Sequence, residues 1–446
     1  LIGALPQKYD LCPMSVKFSN TDWNSLLKSS SLVLLLKILG AVGGYSFVWV
    51  VINVFGPGAY GLFEVAFTFL SILAVLSKWG TDGLTVREIP NMNELDGWGF
   101  VRKVQSFVGL SSLAFALILF LSADIIEDFF NDFGLGLVLR MTAFTLPFFA
   151  LFQIHSEYLR ARKQWLLYGV FQTSFFLGLI SLLIYLFPHH FLLSTEPFLM
   201  RFPREIIPMG FLFIMSFFAF ISIRFYGPLF NKSWRSLKNH ASSATSMFLT
   251  GALFMIMSWS DTLTVSYFMS AEDVANYRVA FKIATLITFT QFAINARIAP
   301  QISSLWLNKK AKELQSIIYK ASLINTIVGI PLFLGIMFFG KFLLSIFGEG
   351  FEHSLSVLRI LCFGQIINAL CGPVMYLLNM TGNEKKARNT MIYAAIINIS
   401  ANILLIPLFG LKGAAWATSI TMILWNIWAL MIGYKQTGIR TLVFWR

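Results

Sequence analysis

Charge is what this sequence has least of. Only 12% of its 446 residues are Asp, Glu, Lys or Arg, and 57% are hydrophobic; a soluble domain holds about 25% charged and 45–50% apolar residues. So little polar surface cannot cover the chain in water. Cysteine is scarce too: Cys12, Cys362 and Cys371 are scattered, and the last two lie too far apart on one apolar stretch for a helix to join them. A disulfide framework, a zinc site and haem attachment are thereby excluded. Also missing are a phosphate loop, a Gly-rich nucleotide-binding pattern and a spaced Ser/His/Asp set, and the loops are too short for a catalytic domain. The expectation is a protein that is not an enzyme, has no cofactor or metal, and does not drive transport by its own hydrolysis. The apolar segments show no alternation of polar and apolar residues, which excludes a transmembrane barrel.

What is present is apolar sequence in long runs. Mean hydropathy is +0.72, and stretches such as 32–55 exceed the length a helix needs to cross about 30 Å of hydrocarbon. Helices are predicted over 32–55, 59–79, 104–125, 137–157, 165–187, 205–224, 244–269, 275–298, 318–342, 355–379, 390–407 and 413–433. The fold class is an all-α integral membrane protein with about twelve spans. The run at 32–55 is too long for a signal core and has no small-residue cleavage site after it, so it reads as the first span. Translation is expected to begin at Met14, because the preceding residues contain no apolar run.

The loops alternate in charge. One set carries Lys8, Lys17, Lys28, Arg87, Arg102, Lys103, Arg160, Arg162, Lys163, Arg224, Lys232, Arg235, Lys238, Lys309, Lys310, Lys312, Lys320, Lys385, Lys386, Arg388, Lys435, Arg440 and Arg446. The other has only Arg201, Arg204, Lys341, Lys412 and Arg278, with Asp124, Glu127, Asp128, Asp132, Glu272 and Asp273 among them. The positive-inside rule places both termini in the cytoplasm. The same bias accounts for most of the net charge of +13, so nucleic acid is not an expected partner.

The second half echoes the first. Val138-Leu139-Arg140 recurs as Val357-Leu358-Arg359, and Phe63-Glu64-Val65-Ala66-Phe67 answers Tyr277-Arg278-Val279-Ala280-Phe281 at nearly the same offset. This reads as a duplication. A shift of six helices preserves direction, so the halves are parallel repeats about an axis along the membrane normal. The expected organisation is a cytoplasmic segment (1–30), an N-lobe (31–225), a linker (226–243), a C-lobe (244–433) and a cytoplasmic tail (434–446), with alternating access between the lobes.

Six basic residues remain at membrane depth: Lys37, Lys78, Arg140, Lys282, Arg297 and Arg359. Each costs about 2.5–3.5 kcal/mol at a helix centre, so each needs a partner, water or an interface. Lys78, Arg140, Arg297 and Arg359 sit near helix ends, where the side chain snorkels to the headgroups. Lys37 and Lys282 lie deeper, and Arg278 precedes Lys282 by one turn on the same face; these three either line a path or form a structural ion pair. Acidic residues at similar depth are Glu64, Asp82, Glu157 and Asp261. Asp82, close to Arg87, suits a local gate or an interfacial pair. Asp261 either carries a proton or cation, or neutralises a lysine. Basic groups exceed acidic ones, which suits phosphate oxygens as cargo and argues against cationic drugs. Trp259, Trp416, Trp425 and Trp428 read as interface or packing residues first and as sugar-stacking residues second. Gly40, Gly43, Gly44 and Gly413-Ala414-Ala415 mark close helix contacts, and Pro147, Pro331 and Pro373 are candidate kinks.

These residues carry a resemblance. Phe55-Gly56-Pro57-Gly58-Ala59-Tyr60-Gly61, Gly80-Thr81-Asp82-Gly83, and Arg87-Glu88 resemble the opening of Wzx-type oligosaccharide flippases. These belong to the multidrug/oligosaccharidyl-lipid/polysaccharide (MOP) superfamily. Asn276 to Ile283 resembles the start of their second lobe, and Asn379 to Lys385, Asn398, Asn402, Leu405-Ile406-Pro407, Gly410 and Gly413 to Thr418 resemble its close. The resemblance implies two parallel six-helix lobes in the bacterial cytoplasmic membrane. It further implies a flippase that moves undecaprenyl-pyrophosphate-linked oligosaccharide to the outer leaflet for O-antigen or capsule synthesis, with polysaccharide polymerase and glycosyltransferases as neighbours. On this reading Lys37, Arg278, Lys282, Arg140, Arg297 and Arg359 are the substrate-binding cations. Asp261, Glu64, Asp82 and Arg87 serve ion coupling, by H+ or Na+, or gating. The alternative is an ion-coupled exporter of the multidrug (MATE) type; that group places an acidic residue in its first helix, where this chain has Lys37.

Overall fold

The computed structural model describes residues 20–162, 173–186 and 241–443, with a few single positions between 164 and 217. The predicted helix over 205–224, most of the basic segment before 241 and the first nineteen residues fall largely or wholly outside that description. The regular elements described are all helices: α1 (Asn20–Phe55), α2 (Pro57–Lys78), α3 (Thr81–Glu88), α4 (Glu94–Phe130), α5 (Leu135–Ala161), α6 (Thr173–Leu186), α7 (Ala241–Phe268), α8 (Ala271–Thr285), α9 (Phe289–Leu307), α10 (Ala311–Ser345), α11 (Leu355–Cys371), α12 (Val374–Met380), α13 (Glu384–Phe409) and α14 (Leu411–Thr437). Among the described residues, eight helices are long and apolar enough to cross a membrane. The chain is a multi-pass membrane protein.

The ends of these helices follow from local chemistry. Gly56, at φ 94°, turns the chain between α1 and α2, and Pro57 opens α2, where its missing N–H costs nothing. Asn93 caps α4 by accepting from the backbone of Asp96, and Ser270 with Asp273 forms a capping box at α8. Most helices run further at the basic end than hydropathy predicts: α1, α4, α10 and α13 extend past the apolar stretch, since polar side chains continue a helix once it is nucleated.

Two predicted helices are broken. The stretch 275–298 is interrupted by a 3₁₀ turn at Leu286–Thr288, which joins α8 to α9. The stretch 355–379 breaks at Gly372, whose φ of 68° no other residue adopts readily, followed by Pro373. Pro147 and Pro331 remain inside α5 and α10. The short helix α3 at the basic end has a low mean hydropathy and no hydropathy signal announced it.

Helices α1 to α6 pack on one another, as do α7 to α14, and α2 against α7 and α8 is the main seam between the groups. The predicted close contacts are present at Gly43 and Gly413 but not at Gly44, where a methyl group would meet no atom within 4 Å because that face of α1 is open. A methyl group on Gly178 in α6 would lie 2.9 Å from the Gly43 Cα, and one on Gly413 would lie 2.1 Å from the Leu405 carbonyl. Cys362 and Cys371 are buried free thiols.

Candidate functional site

The α2–α8 seam brings together charges from both groups of helices. Glu64 projects from α2 and is 2% exposed. Its Oε2 accepts from the Arg278 Nε at 2.9 Å and its Oε1 from the Lys282 Nζ at 2.7 Å. Tyr60, one turn earlier, donates to Glu64 at 2.5 Å and accepts from Lys282 at 2.6 Å. Arg278 and Lys282 share a face of α8 because four residues make about one helical turn. The Arg278 guanidinium lies 4.5 Å from the centre of the Trp259 ring of α7, a cation–π contact that spares part of its desolvation cost. Two cations against one carboxylate leave this buried cluster with a positive charge in excess.

A second cluster lies behind it. Asp261 in α7, also 2% exposed, accepts from the Tyr277 hydroxyl at 2.9 Å, Thr418 Oγ1 at 2.6 Å and Asn402 Nδ2 at 2.6 Å. Asn398 accepts from Ser260 at 2.6 Å and from Asn402 at 3.2 Å. Among the described residues every donor to Asp261 is neutral, so this carboxylate is a candidate for a proton or a small cation. Tyr277 and Arg278 are successive residues of α8, which joins the two clusters.

The remaining sequence-derived candidates separate from this centre. Arg140 is paired with Asp124 near the acidic end, and Arg359 is exposed with its guanidinium 3.5 Å from the Met337 carbonyl. Neither joins the cluster formed by Glu64, Arg278 and Lys282. Lys78 does not snorkel: it is buried, donating to Gln153 at 2.7 Å and paired with Asp82 at 3.1 Å. Arg87 pairs with its neighbour Glu88, and Asp82 with Lys78. Burial raises the Asp82 pKa, but the Lys78 ammonium and the Gly83 N–H outweigh it and hold the carboxyl below its usual value. The side chains of Lys37 and Arg297 lie outside the described residues.

Sequence reasoning placed Glu64, Lys282 and Asp261 at depth and Arg278 one turn before Lys282, but missed Tyr60 and Tyr277. Each precedes a charged residue at the aligned repeat positions, Tyr60 by one turn and Tyr277 by one residue, and that spacing was the available signal. Trp259 is the one tryptophan of the four at the site; Trp416 and Trp428 are exposed, as interface residues are.

A family model described as "Polysaccharide biosynthesis protein" matches residues 53–356. The chain belongs to this family. Among its relatives, the "Probable flippase AglR" of Haloferax volcanii is 30% identical over 40% of this chain and 38% of its own length. The "Putative O-antigen transporter" of Shigella flexneri is 21% identical over 83% of this chain and 88% of its own. The solved "Lipid II flippase MurJ, inward closed conformation" superposes with a TM-score of 0.69 at 16% identity, covering 91% of this chain and 87% of that one. An inward-facing MATE-family multidrug transporter of the MOP superfamily gives 0.65 at 12% identity, covering 92% and 98%. Likeness at these identities shows the fold: the described helices follow the arrangement of these two transporters over nine-tenths of the chain.

Proposed function

We propose that the chain is a flippase that moves a polyprenyl-diphosphate-linked oligosaccharide from the inner to the outer leaflet of the bacterial cytoplasmic membrane, for O-antigen or capsule synthesis. The observation that carries this reading is the net-cationic cluster of buried Arg278 and Glu64 with half-buried Lys282 on the seam between the groups of helices, in a family of polysaccharide biosynthesis proteins. The organisation that goes with it has an N-lobe (31–225), a linker (226–243) and a C-lobe (244–433), with the basic loops and both termini in the cytoplasm. The helix packing and the charge bias of the loops support it.

In this mechanism Glu64 stands in for the cargo. Its carboxylate oxygens occupy the positions on Arg278 and Lys282 that diphosphate oxygens take when substrate enters, and charge-assisted bonds to phosphate replace those to carboxylate. The exchange frees α2 from α8, so binding and lobe movement become one event. Sugar hydroxyls find polar partners between the lobes, whereas crossing hydrocarbon would leave each unpaired at a few kcal/mol. The polyprenyl chain stays in lipid. Asp261, with Tyr277, Thr418 and Asn402, takes up a proton or Na+ whose movement biases the cycle; one charge through 100 mV is worth about 2.3 kcal/mol. A polymerase and glycosyltransferases are the expected neighbours in the membrane.

The test is translocation of a labelled polyprenyl-diphosphate oligosaccharide in proteoliposomes under an imposed H+ or Na+ gradient. Arg278→Ala and Lys282→Ala are expected to lower the rate at least tenfold while the protein still inserts. Transport of a small cationic dye with no movement of lipid-linked glycan would replace this reading with drug export.

A further inference from the structure

Polar residues recur along one side of an apolar helix pair. Lys282, Thr285, Thr288, Gln291 and Asn295 follow one another at steps of three and four residues through α8, the 3₁₀ turn and α9. Other elements meet this stripe with neutral polar groups. Thr288 donates to Gln365 of α11 at 3.2 Å. Gln291 donates to the carbonyls of Asn368 and Gly372 at 3.4 and 3.3 Å, the second exposed by the break in α11. Asn426 of α14 donates to Asn368 at 3.3 Å.

The α10 side is less satisfied. Ser322 and Asn325 are fully buried, yet Ser322 Oγ and both amide atoms of Asn325 have no protein partner. A methyl group on Gly372 would lie 2.2 Å from Ser322 Oγ and 3.4 Å from the Thr441 carbonyl, so these three meet next to Gln291. Asn295 Oδ1, Asn426 Oδ1 and Thr441 Oγ1 are also buried without partners. Native interiors resolve such groups with internal water, which bonds to two to four polar atoms at once. One orphan is ordinary; this many, contributed by α9, α10, α14 and the tail, outline a hydrated passage.

The passage has two distinct ends. One is Thr441, beyond α14 at the basic end. The other is Lys282, where the charges are uneven. Facing it are Glu64 and Tyr60 of α2, Arg278 of its own helix, and Tyr45 of α1, which donates to the Lys282 carbonyl at 2.7 Å; α11 presents the neutral Gln365. Arg278 balances Glu64 and does not deprotonate. Lys282 is thus the group that can release a proton and leave no charge uncompensated.

We propose that a file of water inside the C-terminal helices, from Thr441 past Ser322, Asn325 and Gln291 to Thr288, exchanges protons between the cytoplasm and Lys282. In each exchange one proton leaves the Lys282 ammonium for the adjacent water and one emerges at the cytoplasmic end; uptake reverses this. The direction and purpose of the exchange rest on the flippase reading, but the hydration of the passage does not.

The test uses the full chain with Cys12, Cys362 and Cys371 replaced. Asn325→Cys is expected to react with a small hydrated thiol reagent from the cytoplasmic side at least tenfold faster than Ile318→Cys. Ile318 is buried, apolar and nearer that surface on the same helix. Equal or slower labelling overturns the proposal. In proteoliposomes, Asn325→Leu is expected to keep gradient-independent exchange of lipid-linked glycan but lose at least tenfold of its acceleration by a pH gradient. Lys282→Arg, which keeps the charge but cannot release the proton, is expected to lose that acceleration too. Full acceleration in Lys282→Arg overturns the role of Lys282. Labelling without any glycan movement leaves the passage standing and removes the flippase reading; glycan movement with a dry Asn325→Cys does the reverse.

Discussion

Glu64 is the residue on which the seam depends, and the charges predict how unequally its partners matter. Glu64→Gln leaves the buried Arg278 beside the half-buried Lys282 with no counter-charge, and breaking a buried pair such as Arg278–Glu64 costs about 3–5 kcal/mol. Arg278→Gln leaves Glu64 balanced by Lys282 and is expected to cost less than half as much. Thermal unfolding in detergent checks the order, and a larger loss in Arg278→Gln would contradict the charge accounting. A second residue supplies a pH test. Asp132, between α4 and α5, has its pKa pushed up to about 6 by burial and then by the Glu127 carboxylate. Its folded-state value lies above the ordinary 3.8, so between those values the folded chain binds more protons than the unfolded one and stability falls as pH rises. Asp132→Asn is expected to raise the unfolding temperature at pH 7.5 and to change it little at pH 4. Residue chemistry was only partly legible in the sequence. Depth identified Lys282 and Asp261 and helical spacing identified Arg278, but which charges neutralise which depends on how helices far apart in the chain meet, and hydropathy carries no record of that.

At the scale of elements, the seam exists because α2 and α8 approach closely. Gly61 makes that possible: a methyl group there would lie 1.7 Å from the Ala271 carbonyl, a backbone atom that cannot step aside. Gly61→Ala is expected to push the helices apart, cost about 1–3 kcal/mol and lengthen the Arg278–Glu64 contact. Crosslinking between engineered cysteines on α2 and α8 would report the separation, and unchanged crosslinking would refute it. Long apolar helices were readable because nothing else in a chain this poor in charge buries its backbone in lipid. The breaks at Leu286–Thr288 and Gly372 were not, since an apolar run continues across both. Pro373 hinted at the second; the first has no Pro or Gly and answers to the packing of α8 and α9.

For the whole molecule, the acidic end is joined at several points. Asn53 of α1 donates to the Phe347 carbonyl at 3.4 Å, and Gly58 and Gly61 meet Glu272 and Ala271. At the basic end, Trp79 stacks on Phe248 with ring centres 4.3 Å apart. Alternating access requires the acidic end to part. A short thiol crosslink between Asn53→Cys and Phe347→Cys, in a chain without its native cysteines, is expected to stop translocation, and cleavage of the link to restore it. Transport that continues with the link intact would mean the cargo takes another route. The two groups of helices were anticipated in the sequence from the echoed motifs alone.

The contact between Glu64 and Arg278 has a consequence for ancestry. The two residues hold matching places in the repeat, Phe63-Glu64-Val65-Ala66-Phe67 against Tyr277-Arg278-Val279-Ala280-Phe281, and they face each other across the seam. In a dimer of identical chains, a residue beside the two-fold axis meets its own copy. Glutamate would then have met glutamate, and arginine arginine. Opposite charges at this point are available only to a molecule whose halves are free to differ, so, if the echo is a duplication, the pair arose after the halves were joined in one chain.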